Sequence, residues 1–121
     1  MTAASAKGPA RFAPAPRGFQ VRVQPGRDSI SVRPIGELDL SGSRRLDAAV
    51  DELVDAGFED IVVDLRDLDF IDCAGVRVLL EQHAAAVRDG RRLSLIHGRA
   101  HIRRVFALTE TLDMLPFEDG G

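Results

Sequence analysis

The sequence predicts an α/β domain built as a small mixed β-sheet, an opening antiparallel hairpin followed by parallel strands, backed by helices. Three observations carry that expectation. Near the start, apolar and polar residues alternate on both sides of a Pro-Gly turn, the period of half-buried strands. From Leu46 onward, segments with apolar residues three and four apart alternate with short β-branched runs, which favours right-handed crossovers between parallel strands. Ile61, Val62 and Val63 are apolar on both faces, as a strand in the middle of a sheet requires. A chain of 121 residues, 45% of them hydrophobic, suits one domain with a moderate core.

Met1 to Gly18 contains Pro9, Pro14 and Pro16, has no acid and shows neither periodicity. Residues 1–18 are therefore expected to form a disordered arm ahead of a domain over 19–117. The prolines would also interrupt the amphipathic helix of an organellar transit peptide. Phe19, Val21 and Val23 alternate with Gln20, Arg22 and Gln24 as a first strand, Pro25 to Asp28 reads as a turn, and Ile30, Val32 and Ile35 resume as a second strand. Ser41 or Ser43 is expected to cap a helix with Leu46, Ala49, Val50, Leu53 and Val54 on its apolar face, closed by Gly57.

After the strand around Ile61 to Val63, residues Arg66 to Ala74 read as a connecting loop. Asp72 is placed to cap a helix whose stripe is Val76, Leu79, Leu80, His83, Ala84 and Val87, ending at Asp89-Gly90. Leu93, Leu95 and Ile96 make a further strand and Gly98 a tight turn. Arg99 to Leu108 is a short helix burying Ile102, Val105 and Phe106. Leu112, Leu115 and Phe117 form a terminal apolar patch, and residues 118–121 are expected to fray.

In sheets of this kind the connectors leaving the C-terminal ends of the parallel strands gather along one edge, where ligands and partners bind. Here those connectors run from Asp39 to Ser43, from Arg66 to Ala74, and over Gly98-Arg99. The middle one carries Asp67, Asp69 and Asp72, follows Asp64, and leads into the single cysteine, Cys73. An EF-hand calcium loop would need a different spacing with Gly and a terminal Glu, neither of which is present. Ending a strand, capping a helix and solvating a turn account for the four carboxylates. His97 and His101 are four apart, but Gly98 breaks the helix between them, so they do not make a two-His zinc pair. His83, on the apolar stripe, reads as a satisfied, partly buried residue. Cys73 has no assignable histidine base; its place at a helix start, which favours a thiolate, leaves redox sensing as a reading. No Gly-rich phosphate loop occurs, and neither a metal nor a cofactor is expected. An enzyme reading would rest on the acidic turn alone.

Composition narrows the partner class. Without Trp or Tyr the chain lacks stacking platforms for bases. Residues 37–72 hold twelve acids against three bases, a poor footprint for nucleic acid and a good one for a basic protein surface. No stretch reaches the ~20 apolar residues of a membrane span, and the N-terminus lacks a secretory core. One cysteine fits a reducing compartment, so the cytoplasm is expected.

Four motifs in register then point to a family: Gly-Glu-Leu-Asp-Leu at 36–40, Val-Val-Asp-Leu at 62–65, Phe-Ile-Asp-Cys-Ala-Gly-Val at 70–76, and Arg-Arg-Val-Phe-Ala-Leu-Thr at 103–109. From about Phe19 to Phe117 the chain resembles the STAS domain of bacterial anti-sigma-factor antagonists. The resemblance implies a non-enzymatic switch that binds an anti-sigma factor, usually a serine kinase of the histidine-kinase-like ATPase class, and so releases a sigma factor for transcription. It implies contact through the connector at Asp39, Leu40 and Ser41 and through the helix start at Asp72, Cys73, Ala74, Gly75 and Arg77. Asp69, Gly98 and Arg99 join them on the derived edge. A departure accompanies it: the family's Asp-Ser-Ser-Gly motif, whose first hydroxyl accepts the phosphoryl group, stands here as Asp72-Cys73-Ala74-Gly75. Phosphorylation at the usual site is thus expected to be absent. Asp72→Lys or Gly75→Trp is expected to abolish partner binding and leave the fold intact. A STAS-like scaffold in another assembly, such as a stress-signalling complex or a lipid transporter, is the alternative, and the sequence leaves self-association open.

Overall fold

Gly26 turns the chain back on itself, its N–H donating to the Ser29 carbonyl at 2.7 Å, and the flanking segments pair as the alternation predicts. They are β1 (Gln20–Pro25) and β2 (Ile30–Leu38), antiparallel from Gln20 opposite Ile35 to Pro25 opposite Ile30. The structure, a computed structural model, describes residues 18–118. The expected arm, apart from Gly18, and residues 119–121 of the expected frayed end lie outside the described residues, while Glu118 lies in a strand.

The inward row of β2 is Ile30, Val32, Pro34, Gly36 and Leu38, so Ile35 faces the other side. A proline inside a strand normally removes a ladder bond. Pro34 escapes that cost because β3 (Asp60–Asp64) pairs only with Ile30 to Val32, while β4 (Leu68–Ile71) pairs from Gly36 onward. β5 (Arg92–Ile96) and β6 (Phe117–Glu118) complete a six-stranded sheet in the order β1-β2-β3-β5-β6, with β4 attached to β2, and every pairing after the hairpin is parallel.

β4 corrects the expected loop over Arg66 to Ala74. Its burial runs buried, exposed, exposed, buried, because the register with β2 shifts between Gly36 and Glu37, where Gly36 sits at φ +108°. A bulge of that kind erases the period-two signature in the sequence.

α1 (Leu40–Asp55) is capped by Asp39, whose carboxylate accepts from the Gly42 N–H at 2.9 Å; Ser41 and Ser43, the expected caps, lie inside the helix. α2 (Cys73–Asp89) starts as expected, the Asp72 carboxylate accepting from the N–H groups of Ala74 and Gly75. Both helices close in the same six-to-one and five-to-two pattern of C-terminal bonds. In α1 Phe58 and Gly57 donate to Leu53 and Val54, and in α2 Arg91 and Gly90 donate to Ala86 and Val87. α3 (Ala100–Leu108) buries Ile102 and Phe106, with Val105 half-buried.

The buried face of α2 differs from the expected stripe. Gly75, Val76, Val78, Leu79, Gln82 and Ala86 face inward, while Val87 is 65% exposed, Ala84 is exposed and Leu80 and His83 are half-buried. The cause is packing against α1: the Gln82 amide donates to Asp47 at 2.5 Å and to Asp51 at 3.1 Å, so a polar residue occupies the helix interface. His83 is not satisfied as expected, since its Nδ1 is buried without a hydrogen-bond partner among the described residues. Leu38, Leu46, Ile61, Leu65, Leu79 and Leu95 form the fully buried centre between sheet and helices.

Candidate functional site

Two helix starts meet at the C-terminal edge of β2 and β4. The Asp72 N–H donates to the Leu38 carbonyl at 3.3 Å, which fixes the entry to α2 beside the entry to α1. Gly75 makes this approach possible, because a Cβ there would lie 2.6 Å from Ile71 Cγ1 and 2.7 Å from the Leu38 carbonyl oxygen. It is therefore buried structure. Gly75→Trp cannot leave the fold intact, and Asp72→Lys removes a cap; both expected tests are corrected on that ground.

Around this junction the predicted residues are sorted by the structure. Asp39, Leu40, Ser41 and Asp72 line one depression together with Arg44 and Arg45. Cys73 is exposed at the first position of α2, and Leu40 projects with 57% of its surface exposed. Ala74 and Arg77 belong to the adjoining groove between α1 and α2. Gly98 and Arg99 are anchored elsewhere. A Cβ on Gly98 would meet the Leu65 carbonyl at 2.6 Å, Arg99 donates to the Asp69 carboxylate at 2.8 Å, and His101 donates to the Asp69 carbonyl at 2.7 Å. The third connector thus joins β4, and no hydrogen bond or ion pair among the described residues ties it to Asp39 or Leu40.

The acidity expected of this edge is not what the surface carries. Asp39 and Asp72 spend their carboxylates on backbone N–H groups, and Asp69 is paired with Arg99. Asp64 lies 2% exposed, clasped by Arg66 through Nε at 3.0 Å and Nη2 at 2.8 Å and by Arg33 at 3.1 Å, with Asp67 on the far side of Arg33. Burial pushes the Asp64 carboxyl up, but hydrogen bonds from the Arg66 side chain and backbone, then the charges of Arg66 and Arg33, outweigh it and hold it below its ordinary value. What remains on the rim is mixed charge, with Arg44, Arg45 and Arg77 beside the capping acids. Arg45 also ties the start of the hairpin to α1, donating to the Phe19 carbonyl at 2.7 Å with its guanidinium 5.4 Å from the ring centre.

The groove is the feature that the sequence did not announce. α1 supplies Leu40, Ser43, Arg44 and Asp47, and α2 supplies Ala74, Arg77, Val78 and Glu81. Both sets have the spacing i, i+3, i+4, i+7, one stripe on each helix. That spacing is readable in the sequence, but its mixed composition gives it no apolar signature. Ser43 and Val78 are buried and form the floor; Leu40, Arg44, Arg77 and Glu81 are exposed walls.

Comparison with known proteins agrees with this architecture. A family model described as "Mlab, STAS domain" matches residues 21–116. BtrV of Bordetella bronchiseptica, provisionally named an anti-sigma factor antagonist, is 31% identical over 81 residues, which are 67% of this chain and 70% of that protein. Among solved structures, an anti-sigma factor antagonist from Mycobacterium paratuberculosis superposes with a TM-score of 0.71 at 22% identity, over 87% of this chain and 89% of that one. The Bacillus cell fate determinant SpoIIAA in its phosphorylated form does so with a TM-score of 0.64 at 21% identity, over 86% and 92%. At such identities the two structures speak for the fold, while the family model and BtrV speak for the lineage. On these matches the chain belongs to the STAS domain family.

Proposed function

We propose that the protein acts by binding rather than by catalysis, as an anti-sigma-factor antagonist that docks an anti-sigma factor of the serine-kinase type through the junction of α1 and α2. The observation that carries this reading is the pairing of the two helix starts. Asp72 is bonded to Leu38, so exposed Leu40 and exposed Cys73 stand on one continuous rim beside the groove. The name of BtrV supports the partner class.

Regulation would differ from the phosphorylated pattern. A phosphate on the first turn of α2 would add ~1.5–2 negative charges beside Asp39 and Asp72, disfavouring a close contact with any acidic partner surface. Cys73 and Ala74 offer no hydroxyl there, so binding is governed by partner abundance. The test is co-purification of the tagged full chain from its native cells with ATP or ADP, with mass-spectrometric identification of what binds. A nucleotide-binding anti-sigma factor should be retained by the wild type and lost with Leu40→Glu. Retention of no such protein, or equal retention by the variant, would overturn the reading. Cys73→Ser, incubated with that partner and ATP, should gain one phosphoryl group by intact mass while the wild type gains none.

A further inference from the structure

The groove between α1 and α2 has a charge order along its length. Both helices leave the rim in the same direction, side by side, as shown by Gln82 reaching Asp47 and Asp51 and by the shared lining of the groove. Nearest the rim its walls are apolar, Leu40 and Ala74. One turn on they are basic, Arg44 and Arg77, and neither guanidinium has an ion-pair partner among the described residues. A further turn on they are acidic, Asp47 and Glu81. The seven-residue span from Leu40 to Asp47 corresponds to roughly 10 Å, two helical turns at about 1.5 Å per residue.

We propose that this groove receives a single amphipathic helix of the partner protein, running antiparallel to α1 and α2. The helix presents a basic residue at i, a carboxylate at i+4 and a large aliphatic residue at i+7, the pattern Lys-x-x-x-Glu-x-x-Leu. The inference rests on the docking reading above and names the chemistry that reading leaves open. The carboxylate falls between Arg44 and Arg77, the base beside Asp47 and Glu81, and the aliphatic side chain over Leu40, Ala74 and the floor at Val78. The antiparallel direction places the negative C-terminal end of the incoming helix over the positive N-terminal ends of α1 and α2, which a parallel helix would oppose. Two parallel helices flanking an antiparallel third also reproduce ordinary helix-bundle packing.

The probe is a synthetic alanine-based helical peptide carrying Lys-x-x-x-Glu-x-x-Leu, with a control in which Lys and Glu are exchanged. The control is intrinsically the better helix, since Glu N-terminal to Lys is the favoured order, so helicity alone would favour the control. Titrated into the isotopically labelled full chain, the probe should shift the amides of Leu40, Ser43, Arg44, Arg77 and Glu81. It should bind about tenfold tighter than the control, a few-fold for each of two exposed charge pairs. Arg44→Glu with Arg77→Glu should abolish that preference, because each peptide then meets one matched and one opposed charge, with a urea midpoint little changed. Equal binding of probe and control, shifts confined to other residues, or no binding at all would overturn the proposal. The same double variant is then titrated with the co-purified partner. Unchanged affinity there refutes the groove while leaving the docking reading standing; failure of any nucleotide-binding protein to co-purify refutes the docking reading, and the peptide result then judges the groove alone.

Discussion

Replacing Gly75 by alanine sets two effects of opposite sign against each other. Gly75 lies in the first turn of α2, where exchanging Gly for Ala in an open helix would stabilise by up to about 1 kcal/mol. Its added methyl, however, would lie 2.7 Å from the Leu38 carbonyl oxygen and 2.6 Å from Ile71 Cγ1, well inside ordinary contact distance. The oxygen is backbone and already accepts from the Asp72 N–H, so it cannot swing aside. The start of α2 must then lift away from β2, an overpacking cost of about 1–3 kcal/mol. Sterics win, and the net expectation is a loss of about 1–2 kcal/mol. For a domain near 100 residues that lowers Tm by roughly 5–15 °C, at about 4–8 °C per kcal/mol. Urea unfolding should show a lower midpoint with unchanged m. Gly57→Ala supplies the contrast, since its Cβ would meet nothing within 4 Å and its cost comes from φ +99° alone. A Gly75→Ala variant as stable as the wild type, or more so, would refute the claim that this glycine sets the junction of α1 and α2.

Three further expectations follow from particular contacts. Asp39→Ala should cost about 1 kcal/mol by urea titration and Ser41→Ala less than about 0.5 kcal/mol, because the capping carboxylate belongs to Asp39. Gln82→Leu should destabilise by about 1–2 kcal/mol, since it strips a buried donor from Asp47 and Asp51; a neutral result would show that the amide bridge contributes nothing. Asp64 titrates below its ordinary 3.8 in the folded chain, so its contribution is complete above that value and is lost as pH falls through the lower folded value. Asp64→Asn should therefore reduce stability at neutral pH and flatten the acid limb of a stability-against-pH curve, and an unaltered acid limb would exclude Asp64 as its source.

Elements whose signals are local were legible in the sequence: the hairpin around Gly26, the cap at Asp72, the ends of α1 and α2 at Gly57 and Gly90, and the buried Ile102 and Phe106 of α3. The motif stretches were legible too, and led to the STAS family before any fold was known. Less legible was the site. Cys73 and Leu40 lie exposed at the rim, yet Gly75 is a packing residue, Gly98 packs closely against the Leu65 carbonyl and Arg99 is paired with Asp69 of β4.

The sequence by itself determined the class of fold, the order of its main elements, and the lack of any side-chain hydroxyl in Asp72-Cys73-Ala74-Gly75. Tertiary structure alone decided that Leu68–Ile71 is a strand, that α2 buries Gln82 in preference to His83, and that Asp64, Asp67 and Asp69 are paired with arginines. Each of these depends on a residue distant in sequence: the bulge partner at Gly36, the carboxylates of Asp47 and Asp51, and the guanidinium groups of Arg33 and Arg99. Charge and periodicity along a chain report what each residue is, whereas neutralisation and burial are set by what the fold brings against it.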